Sequence, residues 1–280
     1  MNLTEGLIAL KHLILDDDRF YSKSEDSICE DWSSFLLVQC LSNANIPAIH
    51  HIEIVKFLVD LTTSGNFHTN AVILNMVLKL IIKIHLSSSD EKVLLASRAS
   101  IVQVFENFTS QLECKCESCE NFVFCSLTAG FEMHRGDVFE LLRYVVKNAT
   151  NLDPLSPNHQ SLLNIYLDIC NAIISKLPRY VLTYKLFYDY IWQELCPFLG
   201  KLLGSLKTMK LKDSIDVVQL PETNVESAKL VYRTAVNLAI WLGPVHSFRP
   251  VLESLFQKLL LYSSSEFLYE AIKESRTVSP

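Results

Sequence analysis

Glycine is scarce in this sequence: it accounts for 7 of the 280 residues, whereas average usage of roughly 7% would give about 20. Few positions can therefore supply the positive backbone φ angle that tight hairpins and phosphate-binding loops require. This disfavours β-sandwiches, Rossmann domains and P-loop enzymes. The motifs G-x-x-x-x-G-K-S/T, G-x-G-x-x-G, G-x-S-x-G and H-E-x-x-H are also absent. We therefore expect no enzymatic activity and no cofactor.

The chain has no excess of basic residues and no long uninterrupted apolar run. Its 25 Lys and Arg against 31 Asp and Glu give a formal charge of −6, which argues against nucleic acid as a partner. The most apolar stretch, residues 71–86, is interrupted by Asn75, Lys79 and Lys83, so no membrane span is expected. The start lacks a basic segment followed by an apolar core, which predicts no export. We expect the eight cysteines to be reduced thiols.

What the sequence has in abundance is helical periodicity. Between residues 68 and 86, apolar side chains follow a three-and-four spacing on nearly all faces, and only the Asn75-Lys79-Lys83 stripe is left for solvent. A helix of this kind predicts burial inside a stack of other helices. Simpler amphipathic patterns cover residues 162–177 and 251–260.

Prolines mark where several of these helices begin. Pro47, Pro157, Pro178 and Pro250 suit first-turn positions, where the missing N–H costs nothing. We expect about ten or eleven helices, paired into units of roughly forty residues. The predicted fold is all-α, a HEAT/armadillo-like helical superhelix.

Two segments depart from the helical pattern. Residues 205–221 are polar and lysine-bearing and predict an internal loop. Residues 111–136 predict a linker and hold the only metal-like cluster, listed here with the histidine beyond it: Cys114, Cys116, Cys119, Cys125 and His134. Thiolates at this density suit zinc, but the spacing is not that of paired C-x-x-C motifs. Free loop thiols are the preferred interpretation, so no metal is expected, with zinc and redox chemistry as open alternatives.

Two further clusters are interpreted as structural. His50 and His51 are adjacent and point in different directions on a helix, so they are expected to be surface or turn residues and not joint metal ligands. Asp16, Asp17 and Asp18 follow an apolar helix. They predict a solvated turn, with a cation site as the less favoured alternative. Because carboxylates oppose the dipole at a helix C-terminus, the run marks a helix end and does not strengthen it.

An aromatic segment and the lysines after it are the candidate partner surface. The aromatic side chains are Tyr180, Tyr184, Phe187, Tyr188, Tyr190 and Trp192. They predict either helix packing with phenol groups at the rim, the preferred interpretation, or a recognition surface. The candidate surface residues are Tyr184, Tyr188, Trp192, Lys207, Lys210 and Lys212. Trp192, Leu195 and Cys196 are expected to be buried.

Particular strings resemble one protein family. The tract YDYIWQELCPFLGKLLGS (residues 188–205) resembles the I-W-x-x-L-C-P-x-L helix of the homology-upstream-of-Sec7 domain in large Arf guanine-nucleotide exchange factors. VYRTAVNLAIWLGPVHSFRPVLESLFQKLLLY (residues 231–262) resembles the next helix pair of that domain, and DVFELLRYVV (residues 137–146) its opening. Residues 6–22 and 73–108 look like parts of the dimerisation and cyclophilin-binding domain.

The resemblance implies three regions. Residues 1–113 would be a dimerisation/cyclophilin-binding-like helical domain, residues 114–136 a cysteine-bearing linker, and residues 137–280 a homology-upstream-of-Sec7-like helical domain. No Sec7 domain is expected among these residues. The acidic N-(Y/F)-D-C-D box of the upstream domain has no counterpart here either.

By this resemblance the chain is expected to be a non-catalytic regulatory and scaffolding region of an Arf exchange factor. Its implied location is cytoplasmic, peripheral to Golgi or secretory-vesicle membranes through a partner. The implied partners are small GTPases of the Arf/Arl type, and either a second copy of the chain or a Sec7-containing chain. Two alternatives remain: an unrelated HEAT-type adaptor that binds peptides, and an enzyme with a metal site at the cysteine segment.

Overall fold

The computed structural model describes residues 38–39, 41, 46–63, 69–112, 129–153, 156–212 and 222–262. All regular elements within these ranges are helical, which confirms the predicted all-α class. The chain divides into two compact units, one of Met1–Phe108 with Glu132–Leu141 and one of Thr109–Phe131 with Leu142–Pro280.

Within the described residues, the first unit contains two complete helices, most of a third and the middle of a fourth. These helices are α1 (His51–Thr63), α2 (Ala71–Ser87), α3 (Glu91–Ser110) and α4 (Ala129–Thr150). Helix α2 begins where the side chain of Asn70 accepts a hydrogen bond from the backbone N–H of Ile73 at 3.0 Å. Such a cap satisfies one of the donors that a helix N-terminus leaves free.

The predicted solvent stripe of α2 is present and wider than expected. Lys79 and Lys83 are exposed and Asn75 is half-buried. Val72 and Leu86, which lie on the same face, are 56% and 55% exposed. The other faces are buried as predicted, so the stripe marks where neighbouring helices stop covering α2.

A buried hydrogen bond joins α2 to α3. The Ser97 hydroxyl lies 2.7 Å from Nδ1 of His85 and donates its proton to the Leu94 carbonyl at 2.9 Å. In the tautomer compatible with both bonds, Nδ1 of His85 carries a hydrogen and donates to Ser97. Burial first, and the Arg98 charge second, lower the pKa of His85 below its usual 6.5, so the ring is neutral.

The second unit contains the remaining helices. After α4 these are α5 (Pro157–Lys176), α6 (Lys185–Tyr190), α7 (Cys196–Lys212), α8 (Glu222–Leu242) and α9 (Arg249–Tyr262). A 3₁₀ turn at Arg179–Thr183 precedes α6, and a π turn at Ile191–Leu195 connects α6 to α7.

Helices α5 and α8 run side by side in the same direction. Ser227 Oγ donates to Asn164 Oδ1 at 2.8 Å and Asn237 Nδ2 to Asn171 Oδ1 at 3.1 Å. Beyond the end of α5, Trp241 Nε1 donates to the Leu177 carbonyl at 2.7 Å. Residue numbers rise together on both elements, which requires parallel axes.

Helices α7 and α9 repeat this arrangement. The ring of Trp192, just before α7, stacks on Phe248, just before α9, with centroids 5.8 Å apart. Two turns on, Gly200 lies against the ammonium group of Lys258. The pair α8–α9 is therefore stacked on the pair α5–α7, as in helical-repeat folds.

The spacing of this repeat is longer than the sequence predicted. Residues hydrogen-bonded between α5 and α8 are 63 to 66 positions apart instead of roughly forty. The 3₁₀ turn, α6 and the π turn all lie between α5 and α7 and lengthen the first pair.

The predicted first-turn positions are confirmed for two of the four prolines, and the other two lie one residue before a turn. Pro157 is the first residue of α5 and Pro250 lies in the first turn of α9. Pro47 and Pro178 each stand immediately before a 3₁₀ turn. Their fixed φ angle and missing N–H are compatible with all these positions.

The predicted stripe of α9 is only partly buried. Leu252, Leu255 and Leu259 are buried, whereas Phe256 and Leu260 are 48% and 68% exposed. Helical spacing correctly identified one face of α9, but no described neighbour covers its full width.

Two segments that were predicted to be non-helical are helical in part. Helix α7 continues through residues 205–212, because these are mostly leucine, lysine and methionine and no proline occurs before Pro221. Helix α4 begins at Ala129, so the last eight residues of the predicted linker 114–136 are helical. Gly136 lies inside α4, and close packing does not require a glycine there, because an added Cβ would meet nothing within 4 Å.

Candidate functional site

The aromatic segment of the second unit forms two ring pairs. Tyr180 and Tyr184 meet edge to face with centroids 6.5 Å apart, and the Tyr180 hydroxyl donates to the Leu112 carbonyl at 2.9 Å. Tyr188 and Trp192 form the second pair at 6.5 Å. The four-residue spacing from Tyr184 to Trp192 is the helical repeat that places side chains on one face.

The second pair packs against Phe248. The centroid of Phe248 lies 4.7 Å from that of Tyr188 and 5.8 Å from that of Trp192. Phe248 is fully buried, while Tyr188 and Trp192 are half-buried. The inner faces of these rings therefore pack against Phe248, and their outer edges reach the surface.

The remaining aromatic side chains of the segment are core residues. Phe187 and Tyr190 are buried, and the Tyr190 hydroxyl donates to the Leu142 carbonyl at 3.3 Å. Burial, aided by neighbouring Cys170 and Glu194, raises the pKa of Tyr190 above its usual value of 10. Leu195 and Cys196 are buried as predicted, whereas Trp192 is only half-buried.

A π turn places Trp192 at the edge of this cluster. The N–H of Cys196 bonds to the Ile191 carbonyl five residues back, and Pro197 follows immediately. In a regular α-helix the Pro197 ring would clash with the carbonyl four residues earlier. The wider π turn relieves this clash, and such turns are frequent at functional sites.

Beside Trp192, a cleft of about 360 Å³ separates α7 from α9. Its volume is within the range, roughly 300–1,000 Å³, of sites that hold small ligands. One wall comes from the π turn and α7, through residues four positions apart and one proline: Trp192, Cys196, Pro197 and Gly200.

The other wall comes from α9 and has a similar periodicity: Pro250, Val251, Ser254, Leu255 and Lys258. Sequence reasoning missed this wall. Its only signal was the spacing 250, 254 and 258, which mirrors 192, 196 and 200 on the opposite side.

The two polar groups of interest in the cleft are both hydrogen-bond donors. Trp192 Nε1 is buried and has no acceptor. Lys258 Nζ rests on the backbone at Gly200, where an added Cβ would lie only 2.7 Å away. No carboxylate within the described residues pairs with Lys258, and none of the lining residues is acidic.

The Cys196 thiol of the cleft is not a reactive nucleophile. Burial raises the pKa of the Cys196 thiol to about 12, so the reactive thiolate is essentially absent at neutral pH. An apolar cleft lined by Lys258 can recognise an apolar group next to an acceptor.

Several other predicted sites lie partly or wholly outside the described residues. The side chains of Lys207, Lys210 and Lys212 lie outside them, although their backbone continues α7. Cys114, Cys116, Cys119, Cys125 and the Asp16–Asp18 run also lie outside. The described residues contain no group of three or more potential metal ligands.

The histidines that were considered as ligands have structural contacts. His134 Nε2 donates to the Phe108 carbonyl at 2.9 Å, and the two rings meet edge to face. His50 lies in a turn, with Nδ1 3.1 Å from a Glu53 oxygen. His51 is buried at 6% exposure, which corrects its predicted surface position: α1 begins at His51 and its first turn packs into the unit.

No helix in the described part of the chain combines the length and apolarity that crossing a bilayer requires. Neither a protein-family model nor a solved structure matches the sequence.

The sequence is similar to two curated proteins. One is the human Brefeldin A-inhibited guanine nucleotide-exchange protein 3, at 24% identity over 313 aligned positions that cover 98% of this chain. The other is the mouse protein of the same name, at 24% identity over 312 positions. This supports a relation to the large Arf exchange factor family. The chain spans only 14% of the length of these relatives.

Proposed function

We propose that this chain is a non-catalytic regulatory and scaffolding region of the large Arf exchange factor type, acting in Golgi or secretory-vesicle trafficking. The observation that carries the proposal is the similarity along 98% of the chain to a relative whose name specifies guanine-nucleotide exchange. The strings in residues 188–205 and 231–262 add to it, since they form the stacked helices of the second unit.

The proposal includes the division of the chain into domains. Residues 1–113 would form the dimerisation/cyclophilin-binding-like domain, 114–136 the cysteine-bearing linker and 137–280 the homology-upstream-of-Sec7-like domain. The partners would be GTPases of the Arf/Arl type, and a second copy or a Sec7-containing chain. The contact surface would include Tyr184, Tyr188, Trp192, Lys207, Lys210 and Lys212.

Nucleotide release from Arf tests the non-catalytic half of this proposal. Exchange requires a group that disrupts the Mg²⁺ and phosphate contacts of the bound nucleotide. We expect the purified chain to leave the release of a fluorescent nucleotide at its intrinsic rate, with chelation of Mg²⁺ by EDTA as the positive control. Accelerated release would disprove a purely scaffolding role.

Pull-down tests the binding half. GTP-loaded Arf and Arl proteins are expected to retain the chain better than their GDP-loaded forms. The variant Tyr184→Ala/Tyr188→Ala should lose this preference, whereas Lys185→Gln, an exposed neighbour on α6, should keep it. Failure of every such GTPase in both nucleotide states would contradict the proposal.

A HEAT-type adaptor unrelated to Arf is the second candidate. It is supported by the stacking of α8–α9 on α5–α7 and by the open cleft between α7 and α9. Binding of non-GTPase partners, together with failure of the Arf and Arl pull-downs, would favour it.

A further inference from the structure

We propose that the cleft between α7 and α9 is a docking site for a short acidic peptide of a partner protein. The peptide inserts an apolar side chain between the helices and places an Asp or Glu carboxylate on Lys258. This site does not depend on the proposed relation to Arf exchange, because it is argued from the cleft alone.

The charge pattern determines the chemistry of the occupant. Lys258 has no ion-pair partner among the described residues, and no acidic side chain lines the cleft. A cleft that carries a cation and no acidic side chain is complementary to a ligand that brings an acceptor. A carboxylate suits Lys258, because a charge-assisted hydrogen bond is stronger than a neutral one.

The apolar floor determines what lies beside Lys258. Leu255 and Cys196 are buried in the cleft and Val251 is half-buried. The Cys196 thiol is protonated and behaves as a small apolar group. An aliphatic or aromatic side chain of the partner fits this floor.

Cleft dimensions and exposure favour a peptide over a lipid tail. Trp192 and Gly200 are eight residues apart, about 12 Å along the helix axis. An extended peptide covers that distance with about four residues. Pro197, Pro250 and Ser254 are exposed, so the cleft is open to solvent along its rim and does not enclose a hydrocarbon chain.

The missing Cβ of Gly200 leaves the space that the ammonium group of Lys258 occupies. A Cβ there would lie 2.7 Å from Lys258 Nζ. The atom it displaces is the far end of a flexible side chain, so Gly200→Ala moves the charge at little cost to the fold. This variant shifts the cation without removing it.

Fluorescence polarisation with labelled peptides tests the site. The probes are fluorescein-labelled hexapeptides with one Leu or Phe and with Glu two positions before or after it, and their matched versions with Gln. We expect the intact 280-residue chain to bind a Glu peptide about tenfold more tightly than its Gln version, the effect of one charge-assisted hydrogen bond.

Variants identify the cleft as the place of binding. Lys258→Gln should abolish the tenfold preference, Gly200→Ala should reduce it, and Lys258→Glu should transfer it to peptides with Lys in place of Glu. The control Lys185→Gln removes an exposed lysine on α6 and should change nothing. Circular dichroism and thermal melting show that each variant is folded.

Three results would overturn the proposal. The first is that no peptide binds the folded chain at a peptide concentration of about 1 mM, which corresponds to a binding free energy weaker than roughly 4 kcal/mol. The second is that Lys258→Gln retains the preference for Glu. The third is that laurate, a carboxylate on an apolar chain, binds with Lys258 dependence while no peptide does; the cleft would then be a fatty-acid site.

Discussion

At the scale of single residues, Trp192 links the packing of the second unit to its surface. Its ring stacks on Phe248, and the residue also lines the cleft. A fully buried aromatic residue costs about 3–5 kcal/mol when truncated to alanine. Because Trp192 is half-buried, we expect Trp192→Ala to reduce the free energy of unfolding by about 2 kcal/mol and to lower Tm by several degrees.

The matched control is Trp192→Phe, which keeps a six-membered ring against Phe248 and removes the five-membered ring of the indole together with its N–H. It should retain most of the Tm. A decrease below about two degrees for Trp192→Ala would mean that the stack contributes little to stability.

We expect His85 to make the stability of the first unit depend on pH. Its pKa is lowered in the folded state by burial and by Arg98, so the unfolded chain binds the proton more readily. Stability is fully present above the unfolded pKa of about 6.5 and is lost as the pH falls below it.

The variant His85→Asn isolates this effect. An asparagine Nδ2 can replace the Nδ1–H that donates to Ser97, yet it does not titrate. Between about pH 7.5 and 5.5, the Tm of the unmodified chain should decrease more than that of His85→Asn. His246→Asn, a change in an exposed histidine, serves as the control. Equal slopes for the chain and His85→Asn would rule out a contribution from His85.

At the scale of elements, buried polar contacts keep α5 and α8 in register. An apolar stripe can slide by one helical turn with little loss of contact, whereas a buried hydrogen bond is lost outright. The Ser227–Asn164 bond is the clearest case, because both side chains are buried and the two atoms are 2.8 Å apart.

A double-mutant cycle in urea measures this contact. Ser227→Ala should destabilise the chain by about 1–2 kcal/mol, since it leaves Asn164 Oδ1 without this donor. Combined with Asn164→Ala, we expect a coupling energy of about 1 kcal/mol. Strict additivity would show that the bond does not contribute.

The exposed ion pair on α9 provides the comparison. Arg249 and Glu253 are 3.7 Å apart and their side chains are 78% and 67% exposed. Pairs of this kind are screened by water and contribute about 0–1 kcal/mol. Glu253→Gln is therefore expected to leave the urea midpoint nearly unchanged.

At the scale of the whole molecule, charge limits how the chain can reach a membrane. The net charge is −6, and the one lysine-rich tract contains Lys201, Lys207, Lys210 and Lys212. Each lysine near an anionic surface adds about 1 kcal/mol at most, and acidic residues elsewhere oppose the attraction.

Liposome flotation tests this limit. With vesicles containing phosphatidylserine, the chain alone is expected to remain in the dense fraction and to float only when a membrane-anchored GTPase is added. When no GTPase is present, the charge-reduced variant Lys207→Gln/Lys210→Gln should remain in the dense fraction, as the unmodified chain does. Strong flotation of the chain alone would contradict partner-dependent attachment.

The aromatic segment shows how far sequence reasoning reaches at the candidate site. The run of aromatic residues predicted helix packing with phenol groups at the rim, and Tyr188 and Trp192 are half-buried. It could not show that Phe248, more than fifty residues later, packs against them. That contact depends on how two helix pairs stack, which local spacing does not contain.

The sequence by itself determined the helical class and most helix positions, because the 3.6-residue period, proline placement and glycine scarcity act over a few neighbouring residues. The tertiary structure decided the rest. Lys258 lies on Gly200 because helices distant in sequence pack together, and His51 is buried by the packing of α1 within its unit. The cleft exists for the same reason: each wall is an ordinary amphipathic pattern, and only the distance between α7 and α9 makes the two walls a site.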